Sequence, residues 1–539
     1  MTILENRLEG LLDQIDSALD NGNLKDIPKS GFIKHLLDSS HSNDDLHRIV
    51  ELCLYLAKRI DHTYTVIPPG YLEVFNELFD AADKLIAGDS TLYRSFADEV
   101  STYAKLDFPW ERIALRNRGV AVLYNFAPFA DTGASVASKR LRQMASKVDV
   151  ISCSSLGKKT IDSTPYQISN AYIDSHTVMP IGPAWGSWRP QAEFIHMALQ
   201  KIEQMREAGR EYEFIYTRAM WVPSHYVGAI QKLKQPQMEW IAEFSDPLSL
   251  DVNGRPRAEH PPENDPTFDR LVTEVQRKFG AIAKDEQSIF RMAELLPYAF
   301  ADKIVFTNEL QRLTMLNRIS NDAMRKRVVA KGVVSNHPTL PLQYYKPSST
   351  LSLPLNVKDI NLGYFGDFYA SRGLQDVTRA MRMLPDRLLN RLKLHVFTTF
   401  VPEHAGGVRP VGMQRDLYET YVARTLSALG DSGLENNVVL HPSLPYMEFL
   451  SVLERFDYLI VNDAESGPDH EVNPYLPSKY GDYKGSSSPI WALCEPNSCL
   501  DMSDAHVKTR LGDVNQARAF LFDILSAREG GGTSSERDV

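Results

Sequence analysis

The chain has no run of about eighteen apolar residues, the length a membrane-crossing helix needs. Its first residues, MTILENRLEGLLDQID, are amphipathic and acidic where a secretory leader would be basic and then apolar. Both absences make the cytoplasm the expected compartment. Cysteine is scarce. Four in 539 residues make no disulfide framework, and the single CxxxxC of Cys494 and Cys499 lacks the second pair or nearby histidines that a zinc site requires. Positive charge is in deficit too. With 59 Lys and Arg against 69 Asp and Glu, the formal net charge of -10 argues against a general nucleic-acid binder, because such proteins neutralise many phosphates with clustered cations. No internal sequence repeat occurs beyond two similar α/β series.

What is present points to more than one core, since 539 residues exceed what one ordinary hydrophobic core serves. Residues 1–115 carry helical spacing at Leu8, Leu11, Leu12, Ile15 and Leu19 and again at Ile49, Leu52, Cys53, Leu56 and Ile60. This segment is expected to be a helical accessory domain, packed on the body or forming a surface for homo-oligomers. From Gly119 short apolar strands alternate with helical patterns, which indicates α/β architecture with parallel sheets. The strands are GVAVLYNF, VDVISC, YEFIYTRA, MEWIAEF and KIVFTNE, and they define a Rossmann-like domain over 116–345. KPSSTLSLPLN is Pro- and Ser-rich and serves as a linker. A second Rossmann-like domain, 346–528, follows with INLGYFG, LKLHVFTTF, NNVVLHP, YLIVND and PIWALCE, and 529–539 form a polar, disordered tail.

The richest stretch is NPYLPSKYGDYKGSSSP, Asn473 to Pro489, lying between two apolar runs. A helix is expected to begin there. Pro477 suits a first helical turn and Ser478 is a common capping residue. Lys479 then stands in the first turn beside free backbone N–H groups, and Asp482 and Tyr483 share its face. An anion on Lys479 with ribose hydroxyls on Asp482 is one reading. A capped surface helix with an i,i+3 ion pair is the other. Earlier in the domain, Gly363 to Gly373 form a glycine-bearing loop that ends at Arg372, a residue able to hold phosphate oxygens bidentately. In the first domain, Gly133 lets a helix start close to a ligand, and Asp246 leaves the carboxyl end of a strand, where open α/β sheets bind ligands. Glu243 is a second acidic candidate. His176, His225, His337 and His441 lie near strand ends or loops and carry no assignment. Trp185 and Trp188 suit packing first, with sugar stacking or contact with a membrane surface as the alternatives.

Two Rossmann-like domains in tandem with these features resemble the GT-B glycosyltransferases, and most closely the retaining family 4 enzymes of bacterial surface polysaccharide synthesis. LPSKYGDYKGSSSPIWAL looks like that family's donor segment, YMEFLSVLERFDYLIV like the helix and strand before it, and ELLPYAFADKIVFTNELQ like the end of its first domain. The resemblance spans about 118–528 and implies that Ser478, Lys479 and the Arg372-Gly373 pair hold a donor diphosphate. It puts Asp482 on the ribose, Asn473 at the sugar-contacting end, and Gly133 and Gly366 near the phosphates. The family's first glutamate is absent, Pro474 standing in its place, and its first-domain histidine gives way to Ser245 and Asp246. No Asp-x-Asp occurs, so no metal bridge to the diphosphate is indicated.

The resemblance thus implies a cytoplasmic, retaining, metal-independent transferase without a cofactor. It would take a nucleotide-sugar, with UDP favoured, and a glycan or lipid-linked acceptor, in contact with the membrane periphery when the acceptor lies there. Lys479, Arg372 and Asp246 are its candidate catalytic groups. A sugar-nucleotide epimerase or phosphorylase, and a degenerate interaction subunit of the same fold, remain the alternatives.

Overall fold

A computed structural model describes residues 3–20, 50–59, 71, 74, 78, 118–346, 353, 355–430, 433–467 and 469–531. The chain forms two compact units. One comprises Met1–Asn117, Leu141–Lys147 and Leu340–Gln343, and the other Arg118–Arg140, Val148–Thr339 and Tyr344–Val539. In the first, the helix Ile3–Asp20 buries Leu8, Leu11 and Leu12, one face of a 3.6-residue repeat. A second helix, 50–59, buries Leu52, Cys53, Leu56 and Ala57. Glu9 joins them, accepting from the Tyr55 hydroxyl and pairing with Arg59 at 2.5 Å. The expected helical positions Ile49 and Ile60, and the linker positions 347–352, lie outside the described residues.

The second unit holds two sheets. The first is built from β1 (Arg118–Leu123), β2 (Lys147–Cys153), β3 (Ile173–Met179), β4 (Phe214–Ala219), β5 (Glu239–Phe244), β6 (Lys303–Phe306) and β7 (Gly332–Val334), in the order β3-β2-β1-β4-β5-β6-β7. The second is built from β8 (Ile360–Phe365), β9 (Leu392–Thr398), β10 (Val438–Pro442), β11 (Tyr458–Asn462), β12 (Ile490–Cys494) and β13 (Val507–Arg510), in the order β10-β9-β8-β11-β12-β13. The pairings β1–β4, β4–β5, β8–β11 and β11–β12 are all parallel. Both sheets therefore reverse direction of winding beside their first strand, between β1 and β4 and between β8 and β11. Ligands enter such sheets at the carboxyl side of that point. The α/β class with two Rossmann-like domains in tandem is the one expected.

The central strands are sequestered on both faces, β4, β8 and β12 along their whole length, which is why they stand out as mostly apolar runs, broken only by Thr217, Arg218 and Asn361. Close packing has a local signature at Gly228, where an added Cβ would lie 2.4 Å from Trp240 Nε1, so the helix Pro223–Lys234 can settle on β5 only through glycine. Three strands were not expected. β3 and β13 carry polar residues and are only partly buried, and β7 is three residues long with Val333 and Val334 exposed, so no long apolar run marks them. The C-terminal helix, Val514–Gly531, runs three residues into the segment expected to be a tail, and 532–539 lie outside the described residues.

Candidate active site

On the second sheet, the chain leaves β8 at Gly366, whose φ of +144° favours glycine. An added Cβ there would meet Lys479 Nζ at 3.0 Å, so the bare backbone leaves room for that ammonium. Asp367 follows, its Oδ1 accepting from the Thr398 hydroxyl and the Thr399 N–H, each at 2.8 Å. The loop then closes on itself through Arg372 N to Tyr369 O at 3.0 Å and presents Arg372. Arg372 Nε is buried and makes no hydrogen bond. Among the described residues no group bonds to the Lys479 ammonium either. Burial pulls the Lys479 pKa down; Asp482 and Asp367 oppose that, and Arg372 adds to it.

The helix carrying Lys479 is Ser478–Tyr483, six residues. Pro477 is its N-cap and Ser478 its first residue, with no side-chain cap bond, so the expected capping role of Ser478 is not observed. A helix of about one and a half turns adds little dipole field. Charge at this end of the cleft comes from side chains. The surface-helix alternative also fails, because Lys479 and Asp482 are not ion-paired among the described residues and Tyr480 to Tyr483 are buried.

Across the cleft, Arg218 is the penultimate residue of β4, the one charged residue in that buried strand. Its Nε lies 3.3 Å from Glu243 Oε1 on β5. Arg140 approaches the same carboxylate at 2.8 Å and the Tyr216 hydroxyl donates to it at 2.8 Å. Burial pushes the Glu243 carboxyl up, but Arg140, Arg218 and Tyr216 more than offset this and it titrates below the ordinary range. Glu243 is thus spent on holding the first sheet together. Asp246, three residues on, is different: it lines the cleft, and among the described residues nothing donates to it. Burial raises its pKa, with Arg218, Arg257 and Arg372 pulling the other way. The site around Gly133 is also committed. Asp131 Oδ1 accepts from Gly133 N at 2.7 Å, Asp131 pairs with Lys159, and an added Cβ at Gly133 would stand 2.7 Å from Asp131 Oδ1.

Asp482 faces the first sheet. Its Oδ1 lies 2.6 Å from Lys139 Nζ and accepts from the Tyr446 hydroxyl at 2.6 Å. Asn473 is 2 % exposed and lies off the cleft wall, its amide donating to Ala464 O and Glu495 and its Oδ1 accepting from Tyr475 N. Arg372, Lys479, Asp482, Asp246, Gly133 and Gly366 do share one cleft of about 750 Å³. Arg218 and Lys139 were missed by sequence reasoning. The one signal available for Arg218 was a charge inside a buried strand.

Three of the four histidines are accounted for by neighbours. His176 bonds to Ser152 and Tyr166, His225 to Thr217, and His441 to His395. His337 lines the cleft, and burial together with Arg218, Lys139 and Arg140 keeps it neutral. Trp188 is core, donating to Asp265 at 2.8 Å, while Trp185 is 38 % exposed under the Arg257 guanidinium.

No family model matches the chain, and no curated protein sequence does. Among solved structures it is loosely similar to trehalose-6-phosphate from E. coli bound with UDP-2-fluoro glucose, with a TM-score of 0.44, 10% identity, and 78% of this chain and 100% of that one covered. It is similar at the same level to the N-terminal domain of Candida albicans trehalose-6-phosphate phosphatase, with a TM-score of 0.45, 12% identity and coverages of 76% and 90%. A UDP-GlcNAc 2-epimerase from Neisseria meningitidis gives a TM-score of 0.39, 8% identity and coverages of 76% and 92%. The architecture rests on the strand orders above.

Proposed function

We propose that the chain is a glycosyltransferase. It moves a sugar from a nucleotide diphosphate donor, with a UDP-sugar favoured, to a hydroxyl of a glycan or lipid-linked acceptor, with retention and without a metal. The observation that carries this reading is the pair Arg372 and Lys479, two cations without a carboxylate partner in a cleft whose opposite wall holds the unpartnered carboxylate of Asp246. Keeping desolvated cations unpaired opposes folding. Such a pair is tolerated where a ligand supplies the negative charge, and a diphosphate supplies enough for both.

The chemistry follows from that placement. The bond from the anomeric carbon to the β-phosphate oxygen breaks, its electron pair stays on the diphosphate, and Lys479 and Arg372 meet the charge as it develops. The acceptor oxygen bonds to the anomeric carbon and its proton passes to the released diphosphate. Asp246, on the first-sheet wall, orients the acceptor hydroxyl and offsets positive charge at the anomeric carbon. Water held out of the closed cleft cannot compete as acceptor.

Calorimetric titration with UDP, GDP and dTDP tests the reading. One of them binds, and Lys479→Ala removes transfer while circular dichroism stays unchanged. Full activity in that variant would sink the assignment, and binding of none of the three nucleotides would put a non-catalytic interaction subunit in its place.

A further inference from the structure

The two sheets share one carboxylate. Asp482 belongs to the second sheet, yet the ammonium on its Oδ1 at 2.6 Å is Lys139, from the first-sheet helix Thr132–Met144 and 343 residues away in sequence. Tyr446 donates to the same oxygen at 2.6 Å, and the Tyr345 hydroxyl donates to the Asp482 carbonyl at 2.7 Å. Lys139 is 2 % exposed and Asp482 5 %. A phosphate cannot reach the lysine, so Lys139 is no direct ligand. Asp482 itself lines the cleft, and its second oxygen, Oδ2, receives no hydrogen bond from any described residue.

We propose that Lys139 is a positioning residue for the ribose of the bound nucleotide. Holding Oδ1 from the first sheet, it keeps Asp482 turned so that Oδ2 accepts the ribose hydroxyls. The inference rests on the nucleotide-binding reading above and adds to it that ribose recognition exists only while the two sheets are together. The physical reason is geometric. With the Lys139 ammonium and the Tyr446 hydroxyl both on Oδ1, the carboxylate is held in one orientation that leaves Oδ2 free of protein donors. Without the ammonium, a single hydroxyl is left to hold it.

The test compares whichever of UDP, GDP or dTDP binds with its counterpart lacking the ribose hydroxyls, in full-length wild type and variants. Wild type prefers the hydroxyl-bearing form by about tenfold or more, the worth of a hydrogen bond to a charged group. Lys139→Met brings the ratio close to one. Asn308→Asp serves as the control: it removes the Asn308 Nδ2 contact to Pro474 O, another link between the sheets, while keeping an oxygen to cap Gln311 N, and it leaves the ratio intact. In an Asp482→Asn background, adding Lys139→Met changes the ratio no further, and this doubly neutral variant lacks the buried lone charge that could unfold the single one. Tyr446→Phe lowers the ratio partway. A wild-type ratio retained in Lys139→Met or in Tyr446→Phe, or a further fall in the double variant, overturns the positioning role alone. If no nucleotide binds wild type, the nucleotide reading fails and this inference goes with it.

Discussion

At the carboxyl ends of β4 and β5 Glu243 is matched inside the protein by Arg140 and Arg218, with Asp246 left open, whereas at the carboxyl ends of β8 and β11 Arg372 and Lys479 have no carboxylate match. The second place lies at the point where its sheet reverses winding, and the first lies one strand away from the corresponding point. The difference shows that a switch point becomes a ligand site through what its side chains lack. A satisfied cluster is structure; an unsatisfied one is a demand for a partner.

Glu243→Ala leaves Arg140 and Arg218 buried against each other. Stability falls by about 3–5 kcal/mol, measured as urea unfolding. A loss under about 1 kcal/mol would mean the cluster is not holding the first sheet. Lys479→Ala has the opposite signature: turnover drops by about 100- to 1000-fold, while the unfolding midpoint holds or rises, because an unpaired ammonium is taken out of a buried place. A fall in stability there would put Lys479 among the structural charges. Asp246→Asn stands between these two. Turnover with the natural acceptor falls by about ten- to hundredfold with nucleotide affinity unchanged, and a loss of nucleotide affinity instead would move Asp246 to the donor side.

The smallest effect is expected where the two sheets behave alike. Burial holds the His395 and His441 rings at about 4 on the second sheet and His176 at about 4 on the first, all below an ordinary 6.5. A depressed histidine contributes stability that is fully present above the unfolded value of 6.5. That stability is lost as the pH falls toward 4, because the unfolded chain takes up protons the folded one refuses. Thermal midpoints drop between pH 7 and pH 5, and His441→Gln makes the drop shallower. An unchanged drop in that variant would remove the His395–His441 pair as a source.

Much of the candidate site was visible as local pattern. Lys479 follows a strand and a proline, and Arg372 ends a glycine loop; both are features of a few consecutive residues, and both reach the cleft. Asn473 and Ser478 look equally suitable in sequence, yet Asn473 is consumed by Ala464, Glu495 and Tyr475, whereas Ser478 makes no cap bond and lines the cleft. Hydrogen-bond partners of that kind come from elsewhere in the chain, so no local spacing announces them. Glu243 and Asp246 show the same gap: three residues apart and alike in type, they are separated only by which cations arrive beside them.

By itself the sequence determined the alternation of buried strands and amphipathic helices, and hence two parallel sheets. A strand covered on both faces must be mostly apolar, as β4, β8 and β12 are, with Thr217, Arg218 and Asn361 as the buried polar exceptions. It did not determine the strands β3, β7 and β13, which are partly buried or exposed and are set by pairing with their neighbours in the sheet. Nor did it determine which charges are spent and which are left open. That was decided by contacts such as Lys139 to Asp482 across 343 residues, since a charge in a low-dielectric interior takes its role from the partner that folding brings within about 3 Å.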